Sequence, residues 1–199
     1  MGEISPQLAD NEAWVDQTFE KCDDILHRQV YLGQGRQEGL LVYVEVAVSN
    51  LMLEEHVIGL SDVQPLKSYA EGKAALLAGN GLLFLDGDTN CYKISSKGYP
   101  GIGVKKAENE KVIRGSQEAF TESEKINVAL IRKRLRDSRM KVEEQTVGVR
   151  SHTMTALVYM EDLIYQGLLT TMKQQLQRYE IDGILDSGML EQLSEKHWL

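Results

Sequence analysis

The sequence predicts an α/β fold made of two related small α/β subdomains, which a hairpin and a polar connector join. Stretches with apolar residues at helical spacing alternate with short apolar, β-branched runs, so helices and strands follow one another along the chain. The segment Leu41–Glu45 (LVYVE) also recurs 116 residues later as Leu157–Glu161 (LVYME). These observations predict a helix-strand-strand-helix unit that occurs twice, which favours two subdomains over one continuous sheet.

The repeat extends beyond these five residues. At the same offset, apolar positions of a predicted first helix and strand fall on apolar positions of the second copy: Trp14, Val15, Phe19 and Leu26 on Leu130, Ile131, Leu135 and Val142. A five-residue echo alone could arise by chance. Because the apolar register continues across four elements, duplication is favoured over coincidence.

The first copy opens with a helix predicted over Asn11–Lys21, on which aromatic and apolar residues share one face. Asp10 or Asn11 is expected to cap its first turn, since both side chains can accept a backbone N–H. A strand, a glycine-containing loop, a buried Val-rich strand and a second helix are predicted next, over Ile25–Leu32, Gly33–Gly39, Leu40–Val48 and Met52–Leu60.

Between the copies, a helix is predicted over Leu66–Leu77, and Gly79-Asn80-Gly81 is a strong stop signal. A hairpin follows, with strands at Leu82–Leu85 and Cys91–Ser95 around a turn-rich loop. A polar connector then leads to the second copy. The subdomain boundary is therefore placed near residue 108, which divides the chain into 1–108 and 109–199.

The second copy is predicted to begin with a helix at Thr121, because Thr121-x-x-Glu124 is a capping box in which each side chain satisfies a backbone N–H. One side of this helix is expected to pack and the other to be basic. The expected packed residues are Ile126, Ala129, Leu130 and Leu135, and the basic ones are Lys125, Arg132, Lys133, Arg134 and Arg136. Two paired strands follow, one containing Val142 and Val147 and one at Thr155–Met160.

The composition argues against a nucleic-acid-binding protein. The 199 residues are 42% hydrophobic, which suffices for a substantial core. The net charge is −8, whereas nucleic-acid binding needs a dominant positive field. Charge is uneven, however, since Lys111–Lys141 contains nine Lys or Arg and four Asp or Glu. We therefore expect no nucleic-acid partner and a local basic surface on an acidic protein.

Cys22 and Cys91 are the two cysteines, in unrelated contexts, so a reducing compartment fits and no disulfide framework is predicted. The first ten residues lack a signal-peptide pattern, and no apolar window approaches the ~20 residues of a membrane helix. We expect the chain by itself to be soluble and cytosolic. Shifting the hairpin by the repeat offset gives 197–211, so we also expect the full protein to continue beyond Leu199.

No constellation typical of an enzyme or a metal site is found. The four histidines are scattered, with no pair at the spacing that metal ligands share on a helix: His27, His56, His152 and His197. Asp186-Ser187-Gly188 lacks the glycine that a nucleophile elbow carries two residues before its serine. The sequence therefore predicts no catalytic residue, no metal and no cofactor.

Four long segments carry a resemblance to a known family. They are VIRGSQEAFTES from Val112, INVALIRKRLRDSRMKVEEQTVGVRS from Ile126, TALVYMEDL from Thr155 and YEIDGILDSGMLEQL from Tyr179. In them the chain resembles the soluble N-terminal region of the A subunit of the spore germinant receptors (the GerA family), and weaker similarity reaches back to about Cys22. A paralogous stage V sporulation membrane protein shares these motifs, so both subtypes stay open.

The resemblance implies a non-enzymatic receptor module for nutrient sensing and signal transduction during spore germination. It implies a complex with a transporter-like B subunit and a lipoprotein C subunit at the spore inner membrane, with this domain on the cytosolic (core) side. It also implies that the full protein is membrane-anchored. Two functions stay open: binding a small germinant between the lobes, and serving as a scaffold that organises receptor subunits without binding a nutrient.

A ligand site is predicted from two groups of residues. Arg114, Gly115 and Ser116 lead into the second-copy helix, where backbone N–H groups, the helix dipole and an arginine can receive an anion. Glu45 and Glu161 end equivalent strands, where open α/β sheets tend to present ligands. The alternatives are a repeated strand-end cap for the two glutamates, and a docking face for the loop.

The basic side of the second-copy helix is the predicted partner-binding surface. Arg132, Arg134 and Arg136 are expected to bind an acidic partner subunit or lipid headgroups. Because salt screens exposed charges over ~8 Å at physiological ionic strength, this binding is expected to weaken as salt is added.

Overall fold

The structure is a computed structural model that describes residues 2–33, 36–46, 63–95, 119–178, 182–183 and 188–189. The described part of the chain holds four helices and seven strands. In chain order they are α1 (Leu8–Thr18), β1 (Ile25–Leu32), β2 (Gln37–Val44), β3 (Val63–Leu66), α2 (Tyr69–Leu77), β4 (Gly81–Leu85), β5 (Cys91–Ile94), α3 (Glu124–Arg134), β6 (Met140–Val147), β7 (Thr153–Met160) and α4 (Gln166–Arg178).

The first five strands form one antiparallel sheet with the order β1-β2-β4-β5-β3. Its centre is fully apolar, since Leu40 to Val44 of β2 and Leu82 to Phe84 of β4 are buried. Helices α1 and α2 pack on this sheet, and the Trp14 ring stacks on Tyr69 at 4.5 Å between ring centroids. The main core of the chain therefore lies between this sheet and its helices.

The last two strands, β6 and β7, form a second, two-stranded antiparallel sheet. A smaller core of Val128, Met140 and Val142 lies against it, with Ala156 and Val158 at its margin. Helix α3 serves both cores, because its neighbouring residue Ala129 belongs to the main one. The mixed α/β architecture confirms the predicted fold class.

The repeat is visible in the bounds of the elements. Shifted by 116 residues, α1 and β2 coincide end to end with α3 and β7. Strand β6 starts one residue earlier than the shift from β1 predicts, and the hairpin loop is one residue longer, so these two changes cancel. The predicted equivalence of Leu26 and Val142 is therefore wrong by one position, and Leu26 corresponds to Lys141.

One hydrogen bond recurs in both copies. The Glu45 N–H donates to the Asp24 carbonyl over 2.9 Å, and the Glu161 N–H donates to the Arg139 carbonyl over 2.8 Å. In each copy this bond closes the hairpin just beyond its last strand residue. The predicted boundary near residue 108 and the predicted helix at Met52–Leu60 lie outside the described residues.

Several predicted elements agree with the structure. Strand β1 has the predicted bounds, the hairpin of β4 and β5 matches within one residue, and β6 pairs with β7 as expected. The helix predicted over Leu66–Leu77 is shorter, because β3 occupies its start. Ser68 ends that extended segment and caps α2, since its side chain accepts a bond from the Glu71 N–H.

Two predicted helix caps are wrong. Asn11 lies inside α1 and is buried, where its side-chain amide donates to the carbonyls of Ser5 and Gln7, and Gln7 is the N-cap residue. In the second copy, α3 begins at Glu124 after Ser123, which makes no side-chain cap bond.

Asn127 takes the role that the capping box gave to Glu124. Its side chain accepts a bond from the Thr121 N–H over 2.7 Å and donates to the Thr121 carbonyl over 2.8 Å. Leu135, expected to pack, follows the end of α3 and is 46% exposed. The N-cap is Ser123 rather than Thr121, so the helix begins two residues later than the capping pattern predicted.

Candidate functional site

The junction between the two sheets is formed by the connection from α1 to β1. The Val142 N–H donates to the Lys21 carbonyl and the Asp23 N–H donates to the Val142 carbonyl, each over 2.9 Å. Cys22 thereby forms a parallel bridge with β6. The Asp23 carboxylate also accepts the Glu144 N–H over 2.7 Å. Main-chain hydrogen bonds therefore tie the two halves together.

A buried ion pair reinforces this junction. Both oxygens of Asp24 accept hydrogen bonds from the Arg132 guanidinium, over 2.8 Å from Nε and 2.7 Å from Nη2. Arg132 is 0% exposed and Asp24 is 3% exposed, and Arg132 Nη1 also donates to the Met140 carbonyl. Burial opposes the charge on Arg132, but the bonds and the charge of Asp24 outweigh it and raise the pKa of the guanidinium.

The position of Arg132 corrects one prediction. The guanidinium was expected on a partner-binding face, whereas the structure places it between the two halves with its charge neutralised by Asp24. Arg134 and Arg136 are exposed, as expected for a surface. Their binding of a partner stays a prediction.

Each of the two predicted ligand-binding glutamates faces a lysine. Glu45 Oε1 lies 2.5 Å from Lys125 Nζ, and this hydrogen bond raises the pKa of the lysine. Glu161 Oε2 lies 3.3 Å from Lys141 Nζ. The repeated main-chain bond of both glutamates supports the interpretation of a strand-end cap. The other part of the predicted site, residues 114–116, lies outside the described residues, so its proximity to either glutamate stays a prediction.

A polar cluster that the sequence did not reveal fixes α4 to the second sheet. Glu143 accepts hydrogen bonds from the Tyr159 hydroxyl and from Lys173 Nζ, the latter over 2.5 Å. Burial works against ionisation of Glu143, but these bonds outweigh it and lower the pKa of its carboxyl. Burial and the same glutamate raise the pKa of Tyr159. Lys173 lies 30 residues from Glu143 in sequence, so no local pattern could indicate the pairing.

A shallow cavity of about 330 Å³ lies between α1 and the start of β1. Apolar residues such as Val15 and Phe19 line it together with Asp16, Lys21 and His27. The ring of His27 lies 3.8 Å from Asp16 and 3.4 Å from Glu12. The volume is at the lower end of the range for small-molecule sites.

The turn before β6 gives a testable electrostatic prediction. Hydrogen bonds from Arg139 lower the pKa of Asp137 from its ordinary value of 3.8 to about 2. The folded state therefore binds fewer protons here than the unfolded state, so this contribution to stability is complete above pH 3.8 and is lost as the pH falls through about 2.

In an NMR titration of the side-chain carboxyls, Arg139→Ala is expected to return the Asp137 midpoint toward 3.8. Arg150→Ala, which removes an exposed arginine bound to Asp182, is the matched control and should leave that midpoint unchanged. An Asp137 midpoint that is already ordinary in the unsubstituted chain would contradict the prediction.

Two classes of site are absent from the described residues. None of the helices there combines the length and the apolar character that crossing a membrane requires. Within the same residues, no group of three or more His, Cys, Asp or Glu side chains is arranged to hold a metal ion.

Comparison with known proteins gives the family. Residues 52–199, well over half of the chain, match the family described as Bacillus/Clostridium GerA spore germination protein. The chain is 28% identical to the uncharacterized membrane protein YfkQ of Bacillus subtilis (strain 168), over 96% of this chain and 42% of that protein. It is 27% identical to spore germination protein KA of the same organism, over 96% of this chain and 40% of that protein.

The chain therefore spans about two-fifths of the length of these curated relatives. Its fold is similar to the crystal structure of the N-terminal domain of the A subunit of the Bacillus megaterium spore germinant receptor GerK3, with a TM-score of 0.72 at 20% identity. That match covers 100% of this chain and 82% of the other. Because the family match covers most of its length, this chain belongs to the GerA spore germination protein family.

Proposed function

We propose that this chain is the N-terminal domain of a spore germinant receptor A subunit, and that it acts in nutrient sensing and signal transduction as a rigid assembly module. Family membership and the fold shared with the GerK3 domain support the receptor role. The observation that carries the rigid-module role is the buried Asp24–Arg132 pair at the junction of the two halves.

The physical argument concerns how the two halves could move. A receptor that closes a cleft around its ligand needs an interface that rearranges between two states. Here a hinge motion would separate a buried charge pair and two main-chain hydrogen bonds, and an unpaired buried charge costs about 3–5 kcal/mol. A module that moves as one body is therefore favoured over one that opens and closes.

The proposed contact with other subunits is the arginine surface, formed by Arg134, Leu135, Arg136, Leu163 and Tyr165. The three apolar members are 46%, 78% and 77% exposed. These residues lie at the end of α3 and after β7. Arg139 links the two regions, since its Nη1 lies 2.6 Å from Asp162. Exposed apolar side chains beside arginines suit a protein partner with an acidic, partly apolar face.

The partners we propose are the transporter-like B subunit and the lipoprotein C subunit, with this domain on the core side of the spore inner membrane. The test is Arg134→Glu with Arg136→Glu in the full-length protein. We expect both co-purification of the neighbouring subunits and the germination response to nutrients to fall, because two attractive charges become repulsive.

The same charge change at Arg28 and Arg150, two exposed positions outside this surface, is the matched control. Urea unfolding of the isolated chain should be unchanged in both variants. Normal assembly of the variant with Arg134→Glu and Arg136→Glu would contradict the proposed contact between the arginine surface and the neighbouring subunits.

Germinant binding is the second candidate function. The cavity beside α1 favours it, because a lining of apolar residues, carboxylates and a lysine suits a small zwitterion. The predicted site of Arg114, Gly115 and Ser116 with Glu45 or Glu161 is a separate proposal for the same function. A rise in the melting temperature of the isolated chain with a nutrient would favour binding over a scaffold role.

A further inference from the structure

The outer edge of β7 has unpaired main-chain groups within the described part of the chain. Glu161 donates its N–H to Arg139, so odd-numbered residues of β7 face β6. Main-chain groups alternate in direction along a strand, and those of Met154, Ala156 and Val158 therefore point away from β6. Among the described residues, β6 is the strand that pairs with β7.

The equivalent edge in the first copy is occupied. Glu45 donates to Asp24 of the β1 side, so the even-numbered residues of β2 face the other way. There β4 pairs with β2, with Leu40 opposite Phe84 and Val42 opposite Leu82. Leu40 and Val42 correspond to Ala156 and Val158 at the repeat offset. The first copy thus shows that the hairpin of β4 and β5 fits the edge that is equivalent to the edge of β7.

A glycine gives a second, independent observation. In the first copy, Gly72 of α2 is buried beneath the hairpin of β4 and β5, and a Cβ there would lie 3.4 Å from Cys91 Sγ and 3.5 Å from Leu82 Cδ1. At the repeat offset stands Gly188, which is also helical but is exposed. Gly188 is therefore exposed at the position where the first copy covers the equivalent helical glycine with its hairpin.

We infer that the edge of β7 is the docking site for a β-hairpin of the same type as β4–β5, supplied by the same polypeptide. At the repeat offset, the positions equivalent to this hairpin are 197–211, which extend past Leu199. The curated relatives are long enough to contain such a segment, since this chain spans about two-fifths of their length.

A second copy of the chain is the competing occupant. Pairing of β7 with β7 across a dimer would satisfy the edge but gives no reason for the helical glycine at position 188. A hairpin in the position of β4–β5 accounts for both the edge and the glycine. The following part of the protein is then attached to the second sheet through main-chain hydrogen bonds, and the inference does not depend on a role in germination.

Amide hydrogen exchange followed by NMR tests the inference. The 199-residue chain is compared with the chain extended along its own gene past position 211. We expect exchange at Met154, Ala156 and Val158 to slow by on the order of tenfold or more in the extended chain. Amides that face β6, such as those of Thr155 and Leu157, serve as internal controls and should change little.

Three outcomes would overturn the inference: equal exchange in both chains, edge amides already protected in the monomeric 199-residue chain, or a gene that ends at Leu199. Protection that grows with protein concentration together with a dimeric mass would identify a second copy as the occupant. The exchange and mass measurements use unsubstituted chains, so they do not depend on a variant that must fold.

A proline pair provides a matched second test. Ala156→Pro removes an N–H that faces the open edge, whereas Thr155→Pro removes one that faces β6. We expect Ala156→Pro to lower the Tm of the extended chain by about 3–6 °C more than that of the 199-residue chain. Thr155→Pro should lower both equally. Equal effects of Ala156→Pro on the two chains would contradict the hairpin.

Discussion

Replacing Arg132 with alanine is expected to lower the free energy of unfolding by about 3–5 kcal/mol. The change leaves the Asp24 carboxylate buried, at 3% exposure, without the guanidinium that neutralises it. The free-energy penalty comes mainly from this unpaired charge rather than from the lost attraction. Urea unfolding of the isolated chain measures the effect.

Arg134→Ala is the matched control, because this arginine is two residues away in the same helix and is exposed. Its effect is expected to stay within about 0.5 kcal/mol. Combining Arg132→Met with Asp24→Asn should cost less than Arg132→Ala alone, since no buried charge remains. A small effect of Arg132→Ala would show that the junction tolerates separation of its charges, and the rigid-module proposal would lose its main support.

Replacing Phe84 with alanine is expected to be as severe, at about 3–5 kcal/mol, because it opens a cavity in the main core. Phe84 of β4 is 1% exposed, and its ring makes an edge-on contact with Trp14 at 6.2 Å between centroids. Thermal or urea unfolding followed by tryptophan fluorescence measures the loss, since Trp14 lies beside the substituted position.

The control is the same substitution at an exposed site. Phe120→Ala removes a ring that is 69% exposed, so it creates no cavity and is expected to have an effect within about 0.5 kcal/mol. Similar effects at Phe84 and Phe120 would contradict the placement of the main core between the first sheet and its helices.

Much of the fold follows from local patterns. The strand-like pattern at Ile25–Leu32 and the turn-rich loop between β4 and β5 specify their strands within a few residues, so their bounds could be predicted. The duplication could also be predicted from the sequence, because two copies of one fold conserve the spacing between elements. The loops before and after β6 differ by one residue in length from the equivalent loops around β1. A constant offset of 116 residues therefore aligned Leu26 with Val142 instead of Lys141.

The site was harder to predict because its contacts are distant in sequence. Arg132 stands in a run of basic residues, which local pattern assigns to an exposed face. Its burial depends on Asp24, which is 108 positions away and directly precedes β1 of the first sheet. Asn127 likewise displaced the predicted capping box because its amide can both accept from and donate to Thr121, which a carboxylate cannot do.

The alkylation rates of the two cysteines can report two different opening motions of the chain. Burial raises the pKa of Cys91 to about 12 and raises that of Cys22 as well, so at neutral pH both thiols are protonated and shielded. Alkylation therefore requires a transient opening around each sulfur. Cys22 lies at the junction beside β6 and Cys91 lies within the first sheet. The rate at Cys22 reports separation of the two halves, and the rate at Cys91 reports unfolding of the sheet itself.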